Sequence, residues 1–129
     1  MSFESDLYAE LSGDAGVIAL VSDRIYPAHA SEGTTRPYIV YTTIFNESLY
    51  DISGSGEQSR VRLQVDCYSE DVDEAAAIAR AVISAIPETI SPPGASGICR
   101  TAHNNQDLGL EEDTRLFRRL VEFTIFHRS

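Results

Sequence analysis

The chain has 129 residues, 43% of them hydrophobic, and a formal net charge of −10. That length suits one domain spanning residues 1–129, with a core that needs no disulfide or metal to hold it. The charge excludes a basic nucleic-acid footprint, since phosphates are repelled at long range, and two cysteines, Cys67 and Cys99, are too few for a secreted disulfide framework. Glu4 and Asp6 stand where a leader would carry basic residues, and no long apolar run follows. The expectation is a protein without signal peptide or membrane span, made in the cytosol.

In chain order, Ser2 can cap a helix through about Leu11, with Phe3, Leu7 and Leu11 at i, i+4 spacing. Ser12-Gly13 ends it. Asp14 then caps a short helix from Ala15 to Val21, in which Val17, Ile18, Leu20 and Val21 are expected to be largely buried. Ile25-Tyr26-Pro27 is extended, and Ala28 to Arg36 has the composition of a loop. Pro37 to Phe45 forms a strand that is apolar on both faces. Asn46 to Glu57 leads to a second strand, with Ser53-Gly54-Ser55-Gly56 as the hairpin turn.

The strongest signals are adjacent. Val61, Leu63, Val65 and Cys67 fall on alternate positions, the pattern of a half-buried strand. The period then changes: Val72, Ala75, Ala76, Ala79, Val82, Ile83 and Ile86 recur at three- and four-residue steps, the stripe of an amphipathic helix. Asp71 and Glu74 can cap it as a box, and Pro87 stops it. Leu63 and Val65 should face this helix. Ser91-Pro92-Pro93-Gly94 is a turn, Gly97 to about His103 a weaker strand, Asn104 to Thr114 a polar and acidic connection, and Leu116 to Phe126 the last strand. On that strand Phe117, Val121, Phe123 and Ile125 share one face, and Arg118, Glu122 and Arg128 the other. The fold class is α+β: an antiparallel sheet of about four strands with helices on one face, in α-β-β-α-β-β order.

Chemistry has little to work with. The three histidines, His29, His103 and His127, and the two cysteines form no close-spaced pair of the kind zinc sites use. Cys67 alternates with core residues and should be a buried thiol. A Cys67–Cys99 bridge, or Cys–His catalysis with His103, would need contacts that spacing cannot supply. The carboxylates at Glu70-Asp71-Asp73-Glu74 suit a helix's opening turn, and those at Glu111-Glu112-Asp113 a solvated loop. Ser53 to Gly56 lacks the lysine and following helix of a phosphate loop. The chain should be no enzyme and should carry no cofactor.

Several stretches together resemble the tail-completion, or tail terminator, proteins of long-tailed bacteriophages. Leu11 and Val17-Ile18-Ala19-Leu20-Val21, leading to Arg24-Ile25-Tyr26-Pro27, are similar to the family's opening. Arg36-Pro37-Tyr38-Ile39-Val40-Tyr41 is similar to its first strand. Val61 to Tyr68 and the Glu74-Ala75-Ala76-x-x-Ala79 helix resemble its centre, and Arg118 to Ile125 its closing strand. The stretch from Asn46 to Glu57 matches least. The resemblance implies a protomer that closes into a ring, a hexamer, located in the tail-neck region of the virion. Such a ring caps the finished tail tube, stops its growth and offers a surface to the head connector, with DNA passing through the lumen unbound; a negative lumen would let the duplex slide. No catalytic residue comes with the family.

From the residues, partner contact is expected at two places. Arg118 and Arg128 on the outer face of the last strand can meet acidic patches of another copy head to tail. Leu49, Tyr50 and Ile52, beside the Ser-Gly-Ser-Gly tip, make a docking arm unless they complete the domain's own core. Two other readings stand beside the terminator: another neck or head-completion protein, and a small-molecule-binding or enzymatic α+β domain, which would need a deep pocket with convergent polar groups.

Overall fold

In a computed structural model, residues 3–28, 35–49, 58–86, 98–111 and 115–128 are described. The expected turns at Ser53–Gly56 and Ser91–Gly94, and most of the Ala28–Arg36 loop, lie outside them.

Helix α1 (Phe3–Ser12) and helix α2 (Ala15–Val21) stand where the apolar spacing places them. The Asp14 carboxylate accepts from the Val17 N–H at 3.0 Å, satisfying an orphan donor of α2. Leu7, Leu11, Val17 and Val21 are buried. Ile18 is not: it is 37% exposed, because one residue past Val17 a helix has turned by about 100° and points away from the core.

Five strands form one sheet in the order β1-β2-β3-β5-β4. Strands β2 (Tyr38–Leu49) and β3 (Gln58–Ser69) are antiparallel, as are β3 and β5 (Leu116–Arg128), and β5 and β4 (Ile98–Glu111). This is the expected antiparallel set. The extended Ile25–Pro27 segment adds a fifth strand, β1, parallel to β2. It is held by the Ile39 N–H donating to the Arg24 carbonyl and the Arg24 Nε donating to the Pro37 carbonyl, at 3.0 and 2.7 Å.

The largest correction is β4. The stretch from Asn104 to Glu111, expected as a polar connection, continues the strand. An edge strand needs only backbone pairing with its one neighbour, so its side chains can be polar on both faces and show no apolar alternation. Bulges interrupt it between Arg100 and Ala102 and between Asp107 and Leu110. Gly109 sits in the second at φ +74°, a conformation that costs glycine little, and its N–H donates to the Asp107 carboxylate at 2.9 Å.

Helix α3 (Val72–Ala85) crosses one face of the sheet. Its buried residues are Ala75, Ile78, Ala79, Val82 and Ala85. The stripe is thus rotated toward Ile78 from the expected one, and Val72, in the first turn, is 39% exposed. The Asp71 carboxylate caps the helix by accepting from the Asp73 N–H at 2.9 Å. Glu74 reaches back through Ser69: the Ser69 hydroxyl donates to Glu74 and accepts from the Asp71 N–H.

The main core joins Leu63, Val65 and Cys67 of β3, Val121, Phe123 and Ile125 of β5, and the buried faces of all three helices. A smaller cluster lies on the opposite face, where Tyr38, Val40 and Leu116 are buried with Tyr26 and Tyr68 against them. β2 is therefore apolar on both faces because each face meets a different cluster. No described helix is long and apolar enough to cross a membrane.

Candidate partner-contact surface

The helices cover one face of the sheet and leave the other to the tyrosine cluster at one end and polar residues elsewhere. Register places the expected contact residues on this frame. Leu49, Gln58 and Arg128 share one rung at the end of the β2–β3 hairpin. Leu49 and Arg128 are therefore two strand spacings apart, about 10 Å. The side chains of both, and all of Tyr50 and Ile52, lie outside the described residues. Arg118 is ten residues from Arg128 along β5, about 33 Å away at the opposite end of the sheet. The structure brings Leu49 and Arg128 together and sets Arg118 apart.

Arg118 has an internal partner. Its Nε donates to Asp66 at 2.9 Å, and the other Asp66 oxygen accepts from Gln64 at 3.1 Å. Asp66 is 4% exposed, so Arg118 compensates a buried carboxylate before it can meet anything outside. The aromatic rings beside it are packed: Tyr38 stacks on Tyr68 at 5.1 Å and meets Tyr26 edge-on at 6.2 Å. Burial pushes the Tyr68 hydroxyl up to about 12, against the opposing pull of Arg118. Closer to the hairpin, Arg62 bridges to Glu122 at 2.8 Å on the exposed surface.

One pair was not expected from the sequence. His127 Nε2 lies 2.7 Å from Asp6 Oδ2, both residues buried, tying α1 to the end of β5. Asp6 stands one residue before Leu7 in α1 and His127 continues the inward alternation Val121, Phe123, Ile125. Extending each apolar stripe by one position would have placed both at the core margin.

The structure does not assemble the cysteine and histidine chemistry that the sequence raised. Cys67 is fully buried, and burial drives its thiol far above the ordinary range, so it is a neutral apolar group. Across the sheet it is level with Arg119 and Asp107, whereas Cys99 is level with Phe126. The two cysteines are thus separated by about 23 Å along the strands alone, far beyond disulfide reach, and His103 is four rungs from Cys67. Among the described residues no group of three or more His, Cys, Asp or Glu could hold a metal ion. The hollow between Arg62, His103, Asn104, Glu122 and Thr124, about 190 Å³, is an open groove at the sheet's β4 side.

The sequence signature of the family described as Tail completion protein gp17 matches residues 5–128. No curated protein matches the chain. Among solved structures, a chain of the virion of a native gene transfer agent (GTA) particle is similar with a TM-score of 0.64. The two are 17% identical, and the match covers 98% of this chain and 93% of that one, which establishes a shared fold.

Proposed function

The chain belongs to the tail completion protein gp17 family, a family of structural virion proteins, and from that premise we propose that it is a tail terminator. In this reading copies of the chain close into a ring, a hexamer, on the end of the finished tail tube. The ring stops tube growth and presents the surface that the head connector joins, in the neck of the virion, and DNA passes through its lumen without specific binding. The observation that carries the reading is the family match over residues 5–128. The likeness to a virion chain over nearly its whole length supports it.

The physical character of the molecule agrees. Binding surfaces rather than a reaction site are what the sheet offers, since its titratable groups are occupied with one another: Arg118 with Asp66, Arg62 with Glu122, Arg36 with Glu70, His127 with Asp6. Helix ends carry the acidic residues Glu4, Glu10, Asp71, Asp73 and Glu74, and the sheet's open face is mixed, with Arg60, Arg62 and Arg118 beside Asp66, Glu111 and Glu122. Head-to-tail contact between copies gives a ring when the rotation closes. Leu49, Tyr50 and Ile52 remain the candidate docking arm, and Arg128, on the same rung as Leu49, belongs to the same end of the sheet.

Removing the gene from a producing phage or particle tests the role. Tails of uncontrolled length, unattached to filled heads, are expected in electron micrographs. Tails of normal length attached to heads would overturn it. Filled heads without any tails would favour a neck or head-completion protein instead.

A further inference from the structure

Among the described residues the sheet has two uncovered edges, and the exposed apolar side chains gather there. Among the described residues seven large apolar side chains are exposed, and four of them are Ile44 and Phe45 on β2 and Leu108 and Leu110 on β4. No described strand pairs with the outer edge of β4. On the other side, among the described residues, β1 covers β2 only as far as Tyr41. A long unpaired edge is a template for another strand, and apolar residues along it add a reason to cover it.

We propose that these two edges pair with each other between adjacent copies of the chain, residues 104–111 of one protomer running antiparallel to residues 42–49 of the next. Phe45 then lies opposite Leu108 and Thr43 opposite Leu110. The inference rests on the ring reading and names the contact that closes it.

Four observations carry it. Strand direction is the first: β2 and β5 run one way and β3 and β4 the other. A rotation about an axis along the strands preserves direction, so β4 meets its neighbour's β2 antiparallel and the alternation continues unbroken. Length is the second. Among the described residues the uncovered part of β2 is 42–49, and β4 ends at Glu111, so the incoming strand stops at Thr42, where β1 takes over. Side-chain facing is the third. Phe45 pairs with Arg62 on the open face, and Leu108 lies in the bulge across from Arg118, on that same face; Thr43 pairs with Leu63 and Leu110 with Phe117, both on the helical face. The apolar residues of the two edges therefore meet on matching sides.

Closure is the fourth. Within one protomer Phe45 is level with Ala102, through Arg62 and Thr124. Setting it opposite a neighbour's Leu108 shifts the register by six residues over four strands. That is about 20 Å of rise across about 19 Å of sheet, a tilt of about 45°, at the upper end of what closed sheets adopt. An eight-residue antiparallel ladder makes at most about eight hydrogen bonds, fewer where the bulges at Thr43/Phe45 and Asp107/Leu110 interrupt it, within the range of a stable interface.

Paired cysteines test the contact. In a Cys99→Ser background, Phe45→Cys with Leu108→Cys, and separately Thr43→Cys with Leu110→Cys, are oxidised and run on a non-reducing gel, with the single variants and an Ile18→Cys, Leu108→Cys pair as controls. The expected result is a covalent ladder from the first two pairs, reaching the size of the whole assembly, and at most dimers from every control. Light scattering of the background protein reports the ring independently. A multimer whose two edge pairs give no ladder overturns the strand pairing and leaves the ring standing. A strict monomer at every concentration and on added tail tubes overturns both.

Discussion

At the scale of single residues, the two faces of β3 make the clearest contrast. Leu63 is fully buried against α3 and Arg62, next to it, has a side chain 53% exposed in a surface ion pair. Leu63→Ala should cost about 2–5 kcal/mol, from lost burial and the cavity left behind, and Arg62→Ala about 1 kcal/mol or less. Denaturant midpoints at unchanged m-value check this, and equal losses would show the facing to be wrong. The buried Asp6–His127 pair supplies a second case. Asp6→Ala leaves a buried imidazole short of a partner and should cost about 1–3 kcal/mol, although an α-helix tolerates alanine well; a stability gain would mean that the pair contributes nothing. Tyr68 adds a dependence on pH. Its folded value, about 12, lies above the 10.0 of an unperturbed tyrosine, so the unfolded chain releases that proton first. Stability tied to it is complete below pH 10 and falls as the pH rises toward 12, and Tyr68→Phe should flatten that fall in a pH series of melting temperatures.

At the scale of elements, legibility followed the physics of each one. β3 and α3 could be read because each buries one face, and burial on one face writes a period into the sequence. The cap at Asp71 could be read for the same local reason. β4 could not: from Asn104 to Asp107 it reads Asn-Asn-Gln-Asp, and what holds it is the β5 backbone, which leaves no mark on side-chain choice. β1 was short of signal as well, three residues long and parallel to a strand eleven or more residues further on. In α2 four apolar residues invited the reading that all were buried, and only the helical turn separates Val17 and Val21 from Ile18. Of the residues expected at partner contacts, register puts Arg128 and Leu49 on one rung, while Arg118 answers to Asp66, a partner 52 positions away that no local pattern could indicate. The docking arm has its own test. A Leu49→Ser, Tyr50→Ser, Ile52→Ser variant should keep nearly full thermal stability and fail to join tails to heads. A large stability loss would place these residues in the core, and normal stability with normal virion yield would remove the docking role.

At the scale of the molecule, the described residues leave two kinds of surface after folding: a sheet face without helices and two strand edges without neighbours. A free-standing protein would be expected to blunt such edges, with lysines, prolines or covering loops. Here the described edges instead carry apolar side chains on matching faces, with strand directions that allow repetition. Together with membership of the tail completion family, this is the ground for the proposal that the protomer is a repeating part. The central claim is therefore closed self-association, and the mass of the assembly tests it most directly. Native mass spectrometry across protein concentration and salt, alone and with tail tubes, should resolve one closed species at six times the 14.2 kDa protomer, about 85 kDa, with no ladder of larger open forms. A chain that stays at 14.2 kDa under every one of those conditions, tail tubes included, would contradict the account.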